Sequence, residues 1–220
     1  MKRTITLALS LAVTCIASSA FAVGNVVVSQ IYGGGGNTGA PWTNDYVEIH
    51  NRSGGPVNVS GWSVQYASAT GSSWSVQAIP AATILPAGSY GLIKLATGGA
   101  VGTPLVVACQ IAPAGGAAGS INMSATAGRV ALTSNAVALT GTCPTGGAIV
   151  DFVGYGTTAN CNETANAPAA SNTTALQRKN AGGLDTDNNS TDFTTGSAVP
   201  CSLPTPARSN TWGQVKTIYR

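Results

Sequence analysis

Asp45–Tyr66, DYVEIHNRSGGPVNVSGWSVQY, reads as strand, polar turn, strand. Val47 and Ile49 alternate with Tyr46, Glu48 and His50, and Asn51–Gly55 supplies turn chemistry. Trp62, Val64 and Tyr66 then alternate with Ser63 and Gln65. Alternation of this kind means sheet. Working outward, β-branched or alternating runs recur at Val26–Tyr32, Trp74–Ile79, Tyr90–Leu95, Leu105–Ala108, Arg129–Thr133, Ile149–Gly154 and Ala175–Arg178. Leu85-Pro86-Ala87-Gly88 is a turn of the Pro-then-Gly kind. No amphipathic stretch reaches helical length; Ala159–Ala170 has room for one helical turn, limited by Pro168. Short strands joined by long Gly/Ala/Ser-rich loops predict an all-β sandwich.

The amino terminus has the layout of a secretory signal peptide. Lys2 and Arg3 precede an apolar run from Ile5 to Ile16, and Ala20-Phe21-Ala22 supplies an A-x-A cleavage pattern. Cleavage is expected after Ala22. Cys15 admits a lipoprotein reading, but Ala12 and Thr14 are poor residues before a lipidated cysteine. No later apolar run approaches the ~18 residues that span a bilayer. The expected localisation is therefore secreted, extracellular or periplasmic. Without Lys2 and Arg3, ten basic residues become eight against seven acidic, and the formal charge falls from +3 to +1. Little remains of a broad electrostatic footprint for nucleic acid. Residues 23–208 form the expected domain and 209–220 a short tail.

Loss of Cys15 leaves Cys109, Cys143, Cys161 and Cys201, an even number in an oxidising compartment. Three pairings are open. The favoured one joins Cys143 to Cys161, tying the ends of the Val150–Gly156 region, and leaves Cys109 for Cys201. Zinc fits poorly, because no C-x-x-C spacing occurs and His50 is distant.

Several motifs carry a resemblance. DYVEIHN followed by VNVSGWSV resembles the first half of a lamin-tail domain, and LPAGSYGLI matches its Pro-Gly turn before a core strand. VDFVGYG at Val150–Gly156 and LDTDNNSTDF at Leu184–Phe193 resemble the longer bacterial form of that domain. The matching segments keep their order from Val26 to about Arg208. The resemblance implies an immunoglobulin-like β-sandwich. The bacterial form often sits beside extracellular nucleases and other secreted hydrolases, but only Asn210–Arg220 remains where such a partner would begin. Their enzymatic role is not carried over.

Candidate chemistry is sparse. Gly34–Gly39 formally satisfies G-x-G-x-x-G, yet Ala40-Pro41-Trp42 and a strand follow where a dinucleotide site needs a helix. A flexible loop is the expectation. His50, Glu48 and Tyr46 share one strand face, which a solvated surface explains without catalysis. Asp185, Asp187, Asn189 and Asp192 offer oxygen ligands suited to calcium, although the EF-hand glycine and terminal glutamate are missing. Asx-turns and ion pairs to Arg178 or Lys179 explain the same residues, and four side chains fall short of a shell of ~6–8 oxygens. Trp62 fits the core by alternation. Trp42 and Trp74, beside Gly/Ser loops, are candidates for exposed stacking anchors, and Trp212 lies in the tail.

The sequence thus leads to a secreted, disulfide-stabilised, non-catalytic binding or envelope-associated module with no obligatory cofactor, calcium being the one candidate. Loops Gly33–Trp42 and Gly98–Gly119 are the expected contact surface, for extracellular DNA, a glycan or an envelope component. The alternatives are an accessory DNA-binding partner or remnant of an extracellular nuclease and, from the Asp185–Asp192 stretch, a metal-dependent hydrolase.

Overall fold

The computed structural model describes residues 24–201. The signal segment with its cleavage point after Ala22, Cys15, the domain end at 208 and the tail with Trp212 lie outside them. Twelve strands form the body: β1 (Val26–Tyr32), β2 (Tyr46–Asn51), β3 (Val57–Asn58), β4 (Ser63–Ser68), β5 (Ser75–Ala78), β6 (Ile84–Leu85), β7 (Tyr90–Lys94), β8 (Gln110–Ala112), β9 (Gly128–Thr133), β10 (Ile149–Tyr155), β11 (Thr174–Arg178) and β12 (Phe193–Ser197). One sheet has the order β12-β11-β1-β2-β7-β8, antiparallel except for the β7–β8 pair. The other has the order β10-β9-β4-β5, and β3 pairs with β6 in a two-stranded piece. The two larger sheets pack face to face as an immunoglobulin-like β-sandwich.

Alternation decides which side chains meet between the sheets. Val47 and Ile49 of β2 join Val28, Ile31, Ile93 and Leu176 against Val64, Val130, Leu132 and Val153 from the opposite sheet. Each such side chain contributes ~1.5–3 kcal/mol when fully buried. In β1 the period is reset: Val28 pairs with Ile49 and Gln30 with Glu48, so Ser29 is an extra residue. That bulge allows Val28 and Ile31, three apart, both to face inward.

Loops cover the outer faces as well. Tyr32, Tyr46 and Leu92 lie on the outer face of the six-stranded sheet beneath Leu105, Ala198 and half-buried Trp42. Ala67, Ala131 and Phe152 occupy the equivalent place on the four-stranded sheet beneath Trp74, Leu139 and Cys161. Two disulfides fasten these covers, Cys109–Cys201 and Cys143–Cys161, with Cα separations of 5.9 and 5.2 Å.

Several expectations change. Leu105–Ala108 forms no strand; Leu105 is buried against the outer face, and pairing begins at β8. Ala159–Ala170 contains no helical turn. Helical turns occur instead at α1 (Lys179–Gly182) and α2 (Asn189–Asp192). In α1 the backbone of Asn180 and Ala181 is left-handed, with φ of +52° at both. Tyr90 Oη donates to Ala181 O at 2.6 Å, and Arg52 Nη1 donates to Gly183 O at 3.2 Å.

The glycine run is a close-packed crossing, contrary to the flexible loop expected from its composition. Gly33–Gly36 are buried. A Cβ at Gly33 would strike the backbone of Ser124, at Gly34 that of Asn172, at Gly35 that of Asn44 and at Gly36 that of Gly99. The missing side chains let four other segments of the chain approach this one closely. Asp45 completes the crossing, accepting from Gly35 N at 2.8 Å and Met123 N at 2.7 Å.

Candidate functional site

Charge is concentrated where the carboxyl end of β11 meets β10. Arg178 is buried, and its Nη2 donates to Asp151 Oδ2 at 2.6 Å. Its Nε donates to Val28 O at 2.7 Å, and its Nη1 reaches Leu184 O at 3.0 Å and Asp185 Oδ1 at 3.3 Å. Asp192 lies 3.6 Å away, and Arg52 pairs with the other oxygen of Asp185 at 3.1 Å. Burial opposes the Arg178 charge, but Asp151, Asp185, Glu163 and Asp192 together lift its pKa above the ordinary value. Burial also raises the Asp151 carboxyl, against the pull of Arg178. Glu163 is pushed up to about 9 by burial and then by the neighbouring Asp151 charge.

This geometry places each residue of the suspected calcium set. Asp185 and Asp192 turn toward Arg178, and Asp192 also accepts from Thr186 N at 2.9 Å and Thr186 Oγ1 at 2.7 Å. Asp187 sits at φ +54°, its carbonyl accepting from Thr164 Oγ1 at 2.8 Å. Asn189 serves the sheet: its Nδ2 donates to Phe152 O at 3.0 Å while its Oδ1 accepts from Gly154 N at 2.9 Å. The amide thereby imitates a strand along the β10 edge and caps it. Asp185 does pair with Arg178; Lys179 Nζ instead donates to Thr191 O at 2.6 Å. The carboxylate oxygens of Asp151, Glu163 and Asp185 come within 4.8 Å of one another, and Arg178 supplies the cation there.

The face bearing His50, Glu48 and Tyr46 is not the solvated surface expected. Glu48 and Tyr46 are fully buried, and His50 stacks on Tyr90 with ring centroids 4.4 Å apart. Glu48 accepts from Ser29 Oγ at 3.0 Å and from Cys201 N at 2.6 Å, and burial raises it to about 7. Gln30 Oε1 accepts from Tyr46 Oη at 2.6 Å and Val199 N at 3.1 Å, while its Nε2 donates to Val199 O at 3.0 Å. Trp42 is no exposed anchor, since its Nε1 donates to Ala198 O at 2.8 Å. Residues 198–201 are thus strapped across the face and sealed by Cys109–Cys201.

The opposite outer face carries the open site. The 134–148 loop leaves β9, crosses the four-stranded sheet and returns to β10, enclosing a cleft of about 420 Å³. Asn135, Val137, Ala138, Leu139, Thr140 and Thr145 contribute to its walls, with buried Pro144 between them. Its base is fixed by Gln65, whose Nε2 donates to Val137 O at 2.9 Å and whose Oε1 accepts from Leu139 N at 2.8 Å. Ser63 Oγ and Thr133 Oγ1 each donate to Asn135 O at 2.7 Å. The far end is held by the Cys143–Cys161 bond and by Trp74 Nε1, which donates to Gly141 O at 3.0 Å. Trp74 is therefore buried, lying 5.8 Å from Phe152 between ring centroids and beneath Arg129. Sequence reasoning missed this cleft, because Gln65 and Ser63 read as polar residues of a half-exposed strand.

A comparison with known protein families matches residues 19–157 to the Lamin Tail Domain. The match and the two-sheet architecture agree. The chain belongs to the lamin-tail domain family. Among curated proteins, none matched it. The lamin-tail match includes both walls of the cleft, since it ends beyond Ala148. Of the carboxylates in the Arg178 cluster, only Asp151 lies in the matched part; Glu163, Asp185 and Asp192 come after it. Among the described residues no helix is long and apolar enough to cross a membrane.

Proposed function

We propose that this lamin-tail domain is an exported module that holds an uncharged partner without transforming it. The distribution of charge carries the reading. Of the acidic and basic residues between 24 and 201, Lys179 alone is exposed. Asp45, Glu48, Asp151, Glu163 and Asp192 are buried, and Arg178 gathers several of them. Carboxylates that hold backbone N–H groups and a guanidinium act as structural acceptors. Apart from Lys179, the exposed residues among those described offer hydroxyl, amide, methyl and backbone groups, which can bind but offer little to a polyanion. The signal-like amino terminus and the two disulfides support export.

The test is retention of the purified chain on immobilised glycans and envelope fractions, with each partner recovered unchanged. Binding at one of them is expected; binding nowhere, or turnover of a partner, overturns the reading. One observation favours the second reading, an accessory partner of an extracellular nuclease: residues 202–220 contain Arg208, Lys216 and Arg220 and no acid. DNA retardation that weakens steeply with salt would support it.

A further inference from the structure

We infer that the cleft inside the 134–148 loop is a binding site for an N-acetylated saccharide, a specification that rests on the uncharged-partner reading above. Its volume, about 420 Å³, lies within the range of small-ligand sites. The loop is fixed before any ligand arrives, by the Gln65 amide, two hydroxyls on Asn135 O, the Trp74 indole and a disulfide. A prefixed site loses little conformational freedom on binding.

The lining selects the ligand. No charged side chain contributes, so an ionic ligand would lose hydration without a counter-charge. A wholly apolar ligand would leave Asn135 Nδ2 and the Thr140 and Thr145 hydroxyls facing nothing polar. An extended peptide binds through free backbone groups, and here these are largely engaged. Val137 O and Leu139 N pair with Gln65, Val137 N with Asn135 Oδ1, Gly141 O with Trp74, and Ala148 O with Ser134. Asn135 Nδ2 and the Thr140 and Thr145 hydroxyls remain, next to the methyls of Val137, Ala138 and Ala148 and the Pro144 ring. An acetamido group matches both kinds of surface, its methyl against the apolar wall, its C=O toward Asn135 Nδ2 and its N–H toward the threonine hydroxyls. Ring hydroxyls satisfy the rest.

The experiment titrates the full exported chain with the β-1,4-linked tetramer of N-acetylglucosamine and with the glucose tetramer of the same linkage, by amide chemical-shift mapping and calorimetry. Shifts confined to 134–148, and binding at least about tenfold tighter for the acetylated tetramer, are expected. Ala138→Trp should fill the cleft and weaken binding by at least about tenfold. Val137→Asp, at a position 73% exposed and so without cost to folding, should do the same. No binding of the acetylated tetramer, equal binding of both tetramers, or binding that ignores both substitutions overturns the inference. Retention of the Ala138→Trp chain on envelope glycans would then leave the broader reading standing, whereas retention of neither chain on any partner removes both.

Discussion

The two outer faces of the sandwich are closed by the same three fasteners and end in opposite states. Each has a glutamine on a strand whose amide imitates a backbone ladder, Gln30 toward Val199 and Gln65 toward Val137 and Leu139. Each has a tryptophan whose indole donates to a carbonyl of the covering segment, Trp42 to Ala198 and Trp74 to Gly141. Each has a disulfide. On the six-stranded sheet the strap lies flat, and Tyr32, Tyr46 and Glu48 vanish beneath it. On the four-stranded sheet the cover arches into a loop that encloses the cleft. Fastening is therefore separable from sealing: one face spends its cover on burial, and the other keeps room for a ligand.

The largest difference should appear on removing the bonds. Cys109→Ser with Cys201→Ser opens a link across 92 residues and should cost about 4–5 kcal/mol. Cys143→Ser with Cys161→Ser spans 18 residues and should cost about 3 kcal/mol. Urea unfolding of the two pairs measures this, and a larger loss at the open face would break the comparison.

Titration should sharpen it. Glu48 belongs to the sealed face, and burial lifts it from 4.5 to about 7. Between those values the folded state keeps a proton that the unfolded chain releases. Stability should fall as pH rises through that window and level off above it, by a share on the order of 3 kcal/mol. Asp45, raised by burial to about 7, adds a slope of the same sign. Glu48→Gln should remove its own share and leave a chain more stable than the parent at pH 8. Thermal melts from pH 4 to 8 decide it; a parent that gains stability with rising pH would contradict the assignment.

The smallest contrast lies in the glutamines. Gln30→Leu strands the Tyr46 hydroxyl beneath the strap and removes the partner of both backbone groups of Val199 within it, at about 2–3 kcal/mol. Gln65→Leu frees groups of an exposed loop that can turn to water, at about 1 kcal/mol. Equal losses would mean that the two covers are equally dry.

Much of this sandwich was legible because its core obeys a period of two. Val47, Ile49, Val64 and Tyr66 declare their face, and of the three cysteine pairings that the sequence left open the structure has the favoured one. The outer faces were not legible. Polar residues such as Gln30, Glu48, Ser63 and Gln65 look solvated until a distant segment covers them, and no local pattern announces that segment. Ser29 hides for a related reason, since a bulge is visible only against its partner strand. The Asp185–Asp192 stretch was legible only in part: its composition suits a cation or an arginine equally, and the pairing of Asp185 and Asp192 with Arg178 appears only in three dimensions.

Gly33–Gly36 has a consequence for anyone mapping this molecule by systematic substitution. Each of those positions is closed to even one added carbon by the backbone of another segment of the chain. A mutational scan will show a block of intolerance as sharp as that of a reactive centre, produced by main-chain packing alone. Intolerance there records a traffic crossing of main chains, so sensitivity to substitution does not by itself mark a site of function.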